Sequence, residues 1–156
     1  MKTVDPGHFR SVMGNFATGV TVITATAGAG PVGMTANAVA SLSLEPLLLL
    51  VAFDNTARTL QVVRETERFG VNVLGAGQEE LARLFASKAP EDAKFAGVPH
   101  TVHAGLPVID GTIAWVGCRL ERLVDGGDHT IGIGAVESAE AGDGRPLLWF
   151  RGGYRT

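Results

Sequence analysis

Two clusters of turn residues in the last third of the chain, Asp125-Gly126-Gly127-Asp128 and Ala141-Gly142-Asp143-Gly144, restrict its fold more than any other feature. They separate three runs rich in β-branched and apolar residues, 112–124, 129–139 and 146–151. Links this short cannot hold a crossover helix, so the flanking strands must be hairpin neighbours and the sheet mostly antiparallel. The first half reads the same way. Residues 20–26 form a β-branched run that enters the turn at 27–31 and returns over 32–40, and Glu45-Pro46 breaks the chain before the apolar run Leu47 to Phe53. A further apolar strand, 69–74, follows a helical segment at 59–67. About seven short strands with few helices predict a mainly β fold, a small barrel rather than a doubly wound parallel sheet.

Three helical segments complete this outline. Asp5-Pro6 pairs an N-cap with a proline at the first helical position, and Phe9, Val12, Met13 and Phe16 follow at helical spacing, with an end expected within 14–19. Besides 59–67, residues 78–87 carry Leu81, Leu84 and Phe85 at the same period. The polar stretch 88–100, with Pro90, Gly97 and Pro99, reads as a loop long enough to be functional.

The composition sets limits on partners. At 156 residues, 46% hydrophobic, 19% charged and with a net charge of -3, the chain has the make-up of one ordered domain. It lacks the clustered Lys and Arg of a nucleic-acid-binding surface. The longest apolar run, Leu47 to Phe53, is far short of the roughly 20 residues that cross a bilayer. The first 14 residues include Asp5, His8 and Arg10 and do not read as an export signal, so a cytoplasmic protein with no membrane partner is expected. Cys118 has no partner for a disulfide and reads as a small core residue.

Several chemical motifs are absent or incomplete. Residues 73–80 (VLGAGQEE) join a strand, a Gly-x-Gly and a helix, but Glu80 stands where a dinucleotide fingerprint has its third glycine. His100 and His103 have no Cys or carboxylate to complete a metal set and read as loop histidines, so no metal is expected. Ser41 and Ser43 lack a neighbouring base, and no Gly-x-Ser-x-Gly elbow occurs.

The informative stretch is 33–46, GMTANAVASLSLEP. Small, hydroxyl and amide side chains stand where a core strand would carry Val, Ile or Leu, and alternation puts Asn37, Ser41 and Ser43 on one face. With Asp54, Thr56, Arg58 and Thr59 downstream, they offer neutral donors for a heterocycle and a guanidinium with hydroxyls for a phosphate; the plain alternative is a solvated strand face and an ordinary capped helix. In GDHTIGIGAVE, His129 opens a strand in which Gly132 and Gly134 bare one face, as if a flat group or another backbone lay against it.

These blocks, in this order and spacing, resemble the short-chain flavin reductases, the reductase partners of two-component flavin monooxygenases. The similarity includes FRSVMGNFATGVTVIT, GMTANAVASLSLEPLLL, DNTART, FGVNVL, LFASKAPEDAKFAGV, GDHTIGIGAVES and PLLWFRGGYR. It implies one FMN-binding split-barrel domain, an antiparallel Greek-key barrel, that forms a homodimer with the flavin near the subunit interface. By the same resemblance Thr35, Ala36, Asn37, Ser41, Leu42 and Ser43 would line the flavin ring and ribityl chain. Asp54, Thr56, Ala57, Arg58 and Thr59 would hold the ribityl and phosphate end, and Phe85, Ser87, Lys88 and Phe95 would contribute from the loop. His129 would meet the nicotinamide as the catalytic residue, with Tyr154 near the open face of the flavin. The chain departs from the family pattern at Glu45-Pro46-Leu47, where a second proline is frequent, and at Ala57, where a serine is frequent; Ala57 is left with only its backbone N–H.

The implied activity is hydride transfer from NADH or NADPH to FMN or FAD, with reduced flavin supplied to a flavin-dependent monooxygenase. Such chemistry asks the protein for stacking and orientation rather than a nucleophile. The bare face at Gly132 and Gly134 would then admit the bound ring or the partner subunit, the alternative being glycines that relieve crowding in a small barrel. A non-catalytic flavin store or sensor, an oxidase of pyridoxine phosphates and a flavin-free ligand carrier are the competing functions.

Overall fold

The computed structural model describes residues 3–156. In chain order its elements are α1 (Pro6–Met13), β1 (Thr18–Gly19), β2 (Thr21–Ala27), β3 (Gly30–Ala36), β4 (Val39–Leu44), β5 (Leu47–Asp54), α2 (Arg58–Thr66) and β6 (Arg68–Val73). There follow α3 (Glu79–Ala86), α4 (Glu91–Phe95), β7 (His100–His103), β8 (Leu106–Ile109), β9 (Ala114–Gly126), β10 (His129–Ala141), β11 (Leu148–Phe150) and β12 (Gly153–Arg155). The architecture is mainly β, as the turn pattern predicts.

Seven strands form one sheet in the order β3-β2-β6-β9-β10-β5-β4, and every pairing in it is antiparallel. Its edges, β3 and β4, are consecutive in the chain yet do not pair, so among the described residues no ladder closes the sheet into a barrel. The small sheets β1-β11-β12 and β7-β8 accompany it. The long β9–β10 hairpin turns over Gly127 at φ +80°, a left-handed backbone suited to glycine.

Two apolar clusters organise the interior. In one, Leu60, Val62 and Val63 of α2 pack on Ile23, Val51, Phe53, Phe69 and Cys118 of the large sheet. In the other, Ala82 and Phe85 of α3 and Phe95 of α4 meet Val20, Val22, Leu74 and Leu147. Between them runs a buried polar seam. Asn72 donates from Nδ2 to the Val22 carbonyl and to Thr24 Oγ1, both at 3.2 Å, and accepts the Ile109 N–H at 2.8 Å. Thr24 Oγ1 donates to the Pro107 carbonyl at 2.8 Å, so the seam fastens β8 to the large sheet. A fully buried amide keeps its place only with these partners.

The first helix forms as the sequence predicts: Asp5 Oδ1 accepts the His8 N–H at 2.9 Å, Pro6 begins the helix and Gly14 ends it. None of its residues is buried, and Phe9 and Phe16 are exposed.

Four expectations need correction. Residues 32–40 are not one strand; the chain leaves β3 after Ala36, and β4 pairs Ser41 with Leu49 but Ser43 with Leu48, so a bulge at Leu42 breaks the alternation that put Asn37, Ser41 and Ser43 on one face. Residues 88–100 are not structureless, because α4 forms within them. His100 and His103 lie on β7, where their rings stack edge-on against Phe95 (5.3 Å) and Trp115 (5.2 Å). Lastly, the face bared at Gly132 and Gly134 is filled from within the chain. A Cβ on Gly132 would stand 2.7 Å from Cε2 of Phe53, and one on Gly134 would stand 2.6 Å from Cζ of Phe69 and 2.8 Å from Cβ of Cys118. The glycines admit two buried rings packed edge to face at 5.8 Å, not a ligand or a second subunit.

Candidate cofactor-binding cleft

Where β5 ends, Asp54 turns the chain into α2. Its Oδ1 accepts both the N–H (2.7 Å) and the hydroxyl (2.6 Å) of Thr56. Those two bonds, aided by the charges of His129 and Lys88, hold the carboxyl below the usual carboxylate range against a modest effect of burial. The turn sets Ala57 as the N-cap of α2, and its methyl group supplies no acceptor, so the first-turn N–H groups have no side-chain cap. Beside them Thr59 is 1% exposed and its Oγ1 has no hydrogen-bond partner. An uncapped helix N-terminus with an orphaned buried hydroxyl is the local chemistry of an anion site.

This turn forms one wall of a cleft of about 550 Å³. The opposite wall comes from α3 through α4: Phe85, Ala86, Ser87, Lys88, Ala89, Pro90, Glu91 and Lys94. The floor is Gly33, Met34 and Thr35 of β3. Thr35 is fixed by its hydroxyl, which donates to the Ala82 carbonyl at 2.6 Å. Gly33 is held from both sides. Its N–H donates to Glu91 Oε2 at 3.0 Å, its carbonyl accepts from Lys94 Nζ at 3.4 Å, and a Cβ on it would come within 2.8 Å of the Phe85 ring. Lys94, 5% exposed, also pairs with Glu91 at 3.4 Å. Arg58, Lys88 and Lys94 against Asp54 and Glu91 give the lining an excess of one positive charge.

Of the residues singled out in the sequence, nine line this cleft: Thr35, Asp54, Thr56, Ala57, Arg58, Thr59, Phe85, Ser87 and Lys88. The others lie outside its lining. Ala36 is buried in the core, and Asn37, Ser41 and Leu42 are exposed. Ser43 accepts the Glu45 N–H at 3.2 Å in the turn between β4 and β5. Phe95 is a core residue that supports Phe85 edge-on at 5.0 Å. His129 pairs with Asp54 across the β5–β10 ladder, at the rim, and its Nδ1 lies 2.7 Å from Asp128 Oδ1. Tyr154 lines a second, shallower hollow with Arg83 and Trp149, which shares Ala86 and Ser87 with the cleft. Sequence reasoning missed the Gly33, Glu91 and Lys94 cluster; the i,i+3 spacing of Glu91 and Lys94 was its only trace.

The large sheet, the uncapped α2 and the cleft beside it make a mainly β protein with one wall whose chemistry suits an anion. Residues 13–156 match the family described as flavin reductase like domain, and the chain belongs to that family. It is 43% identical over 155 residues, 97% of its length and 82% of the relative's, to the reductase subunit HsaB of a flavin-dependent monooxygenase of Mycobacterium tuberculosis. It is 41% identical to an NADH-dependent FAD reductase of Streptomyces globisporus, covering 96% of this chain and 86% of that one. Among solved structures, the NADH:FAD oxidoreductase of Streptomyces globisporus C-1027 superposes with a TM-score of 0.92 at 38% identity, covering 99% of this chain and 96% of that one.

The cleft fits a flavin phosphate on its own evidence. Thr59 Oγ1 lacks a partner, the amides of α2 lack a cap, and Arg58 stands beside them. Phe85 and the small residues of β3 give the apolar and backbone surface that a flat ring needs.

Proposed function

We propose that this chain is an NADH-dependent flavin reductase that binds FMN or FAD in the cleft between α2 and the α3–α4 segment. It passes the reduced flavin to a flavin-dependent monooxygenase component. The observation that carries the reading is the partnerless, buried Thr59 hydroxyl at the uncapped start of α2. A flavin, when bound, supplies the two-electron redox chemistry with the reduced nicotinamide as donor. The protein's work is placement. Thr59, Arg58 and the α2 amides hold the phosphate, while Asp54, kept ionised by Thr56, accepts hydrogen bonds from hydroxyls of the ribityl chain. Phe85, Thr35 and Gly33 support the ring, Lys88 adds charge at the rim, and His129 stands one strand away, in reach of a nicotinamide carboxamide.

The reading extends to assembly and place. It takes the chain as one split-barrel domain in the cytoplasm that acts as a homodimer; the exposed apolar face of α1, with Phe9, Val12 and Met13, and Phe16 just beyond the helix, is a surface that a second copy would cover. Among the described residues no helix is long and apolar enough to cross a membrane.

Absorbance at 340 nm tests the activity directly, with NADH or NADPH and with FMN, FAD or no added flavin. Flavin-dependent NADH consumption is expected. Tight flavin binding without consumption of either nucleotide would favour a flavin store or sensor, and neither binding nor turnover would overturn the reading.

A further inference from the structure

Asn55 is the one residue of the run 54–59 that does not line the cleft. Its polar groups go instead to the tip of the β9–β10 hairpin. Its N–H donates to the Asp128 carbonyl at 3.1 Å, its Nδ2 donates to the Gly127 carbonyl at 3.0 Å, and its Oδ1 accepts the Thr130 hydroxyl at 2.7 Å. The amide cannot be turned round, because a carbonyl only accepts and the NH2 must therefore face Gly127. Packing does not hold the tip: residues 124–128 are exposed, and the β5–β10 ladder ends at the pair His129 and Asp54. The Asp128 side chain is 96% exposed, and its Oδ1 lies 2.7 Å from Nδ1 of His129.

We infer that Asn55 is a positioning residue of the reductase: by fixing the backbone of Gly127 and Asp128 it fixes the carboxylate that orients His129, and so sets the imidazole where a nicotinamide carboxamide meets it. The inference rests on the reductase reading above. An ionised carboxylate only accepts, so Nδ1 of His129 carries the proton between them and Nε2 is left for a ligand. Neighbouring residues divide the work. Asp54 and Thr56 are locked to each other and serve the flavin end, while Asn55 between them serves the nicotinamide end. Without its three bonds the exposed tip would spread the ring over many positions, and reactivity falls steeply when a reacting geometry is misplaced by about 1 Å.

Double-mutant kinetics test this, with NADH oxidation followed at saturating FMN. Asn55→Ala should raise KM for NADH about threefold to tenfold and leave FMN affinity, read by fluorescence titration, within about twofold, because the Asp54–Thr56 turn survives. A smaller folded fraction would lower kcat alone, so a rise in KM separates positioning from stability. In a His129→Ala background the same substitution should change KM by less than about twofold, since the residue it acts through is gone. An unchanged KM in Asn55→Ala, or an equal rise in both backgrounds, overturns the inference. Nuclear magnetic relaxation of the backbone amides at 126–129 reads the tie without turnover. Their order parameters should fall in Asn55→Ala, and unchanged values also overturn the inference. A wild type that oxidises no reduced nicotinamide, with the tip still loosened in Asn55→Ala, would sink the reductase reading and leave Asn55 as the anchor of the hairpin.

Discussion

Adding one methyl group at residue 134 should destabilise the protein, although alanine ordinarily suits a strand better than glycine. By propensity alone, Gly134→Ala gains about 0.5–1 kcal/mol through the smaller backbone entropy of alanine. Packing opposes this. The new Cβ would sit 2.6 Å from Cζ of Phe69, 3.0 Å from Cε1 of the same ring and 2.8 Å from Cβ of Cys118. Phe69 and Cys118 have no exposed surface, and Phe69 is wedged edge-on against Phe53, so neither can swing aside. Forcing a methyl into such a core costs about 1–3 kcal/mol, and packing wins. A net loss near 1–2 kcal/mol lowers Tm by about 2–8 °C in a chain of this length. Thermal unfolding followed by circular dichroism reads the shift. Gly134→Ala in a Phe69→Leu background should lose less than it does in the wild type, since the obstructing ring is gone. An unchanged or raised Tm would refute the packing argument. Normal stability with weakened flavin binding would restore the idea that the bare face serves a ligand.

Thr59→Val removes a hydroxyl that has no partner within the chain, so stability should hold or rise slightly. The affinity for FMN should fall about tenfold or more, the worth of a hydrogen bond to a charged group, and flavin fluorescence titration measures it. Asn72→Ala strands the Ile109 N–H and removes the amide's bonds to the Val22 carbonyl and Thr24 Oγ1; a loss of about 2–4 kcal/mol is expected in urea unfolding, with β7–β8 the first segment to lose hydrogen-exchange protection. Burial pushes the Cys118 thiol up to about 12, with a small contribution from Glu137. Its folded pKa is raised, so the stability it contributes is complete below its ordinary value of about 8.5 and drains away as pH climbs toward the folded value. Unfolding midpoints across this alkaline range should therefore fall more steeply in the wild type than in Cys118→Ala; parallel slopes would contradict the assignment.

How far the sequence discloses the molecule depends on the range of the interactions involved. The β9–β10 hairpin, the Asp5-Pro6 start of α1 and the placing of α2 are local decisions, written in neighbouring residues, and all three are legible. So is the wall of the cleft at 54–59, because its turn and helix start lie within six consecutive positions. The role of Gly132 and Gly134 is only half legible: relief of crowding stands in the sequence as the alternative to a ligand, but the rings that require it come from β5 and β6, far away in the chain. The bulge at Leu42 depends on how β4 meets β5 and defeats a simple period of two. Residues 88–100 hide α4 because prolines and charges dominate the pattern, and with α4 they hide the Glu91–Lys94 hold on Gly33.

The central claim is that flavin binds at the start of α2, between Arg58 and Lys88. Its most direct measurement is FMN fluorescence titrated with wild-type protein and with the charge-reversed pair Arg58→Glu and Lys88→Glu, both side chains being exposed. Saturable quenching by the wild type, shifted to at least about tenfold higher protein concentration in the variant, is the predicted result. Quenching of equal affinity in both proteins, or in neither, would contradict it.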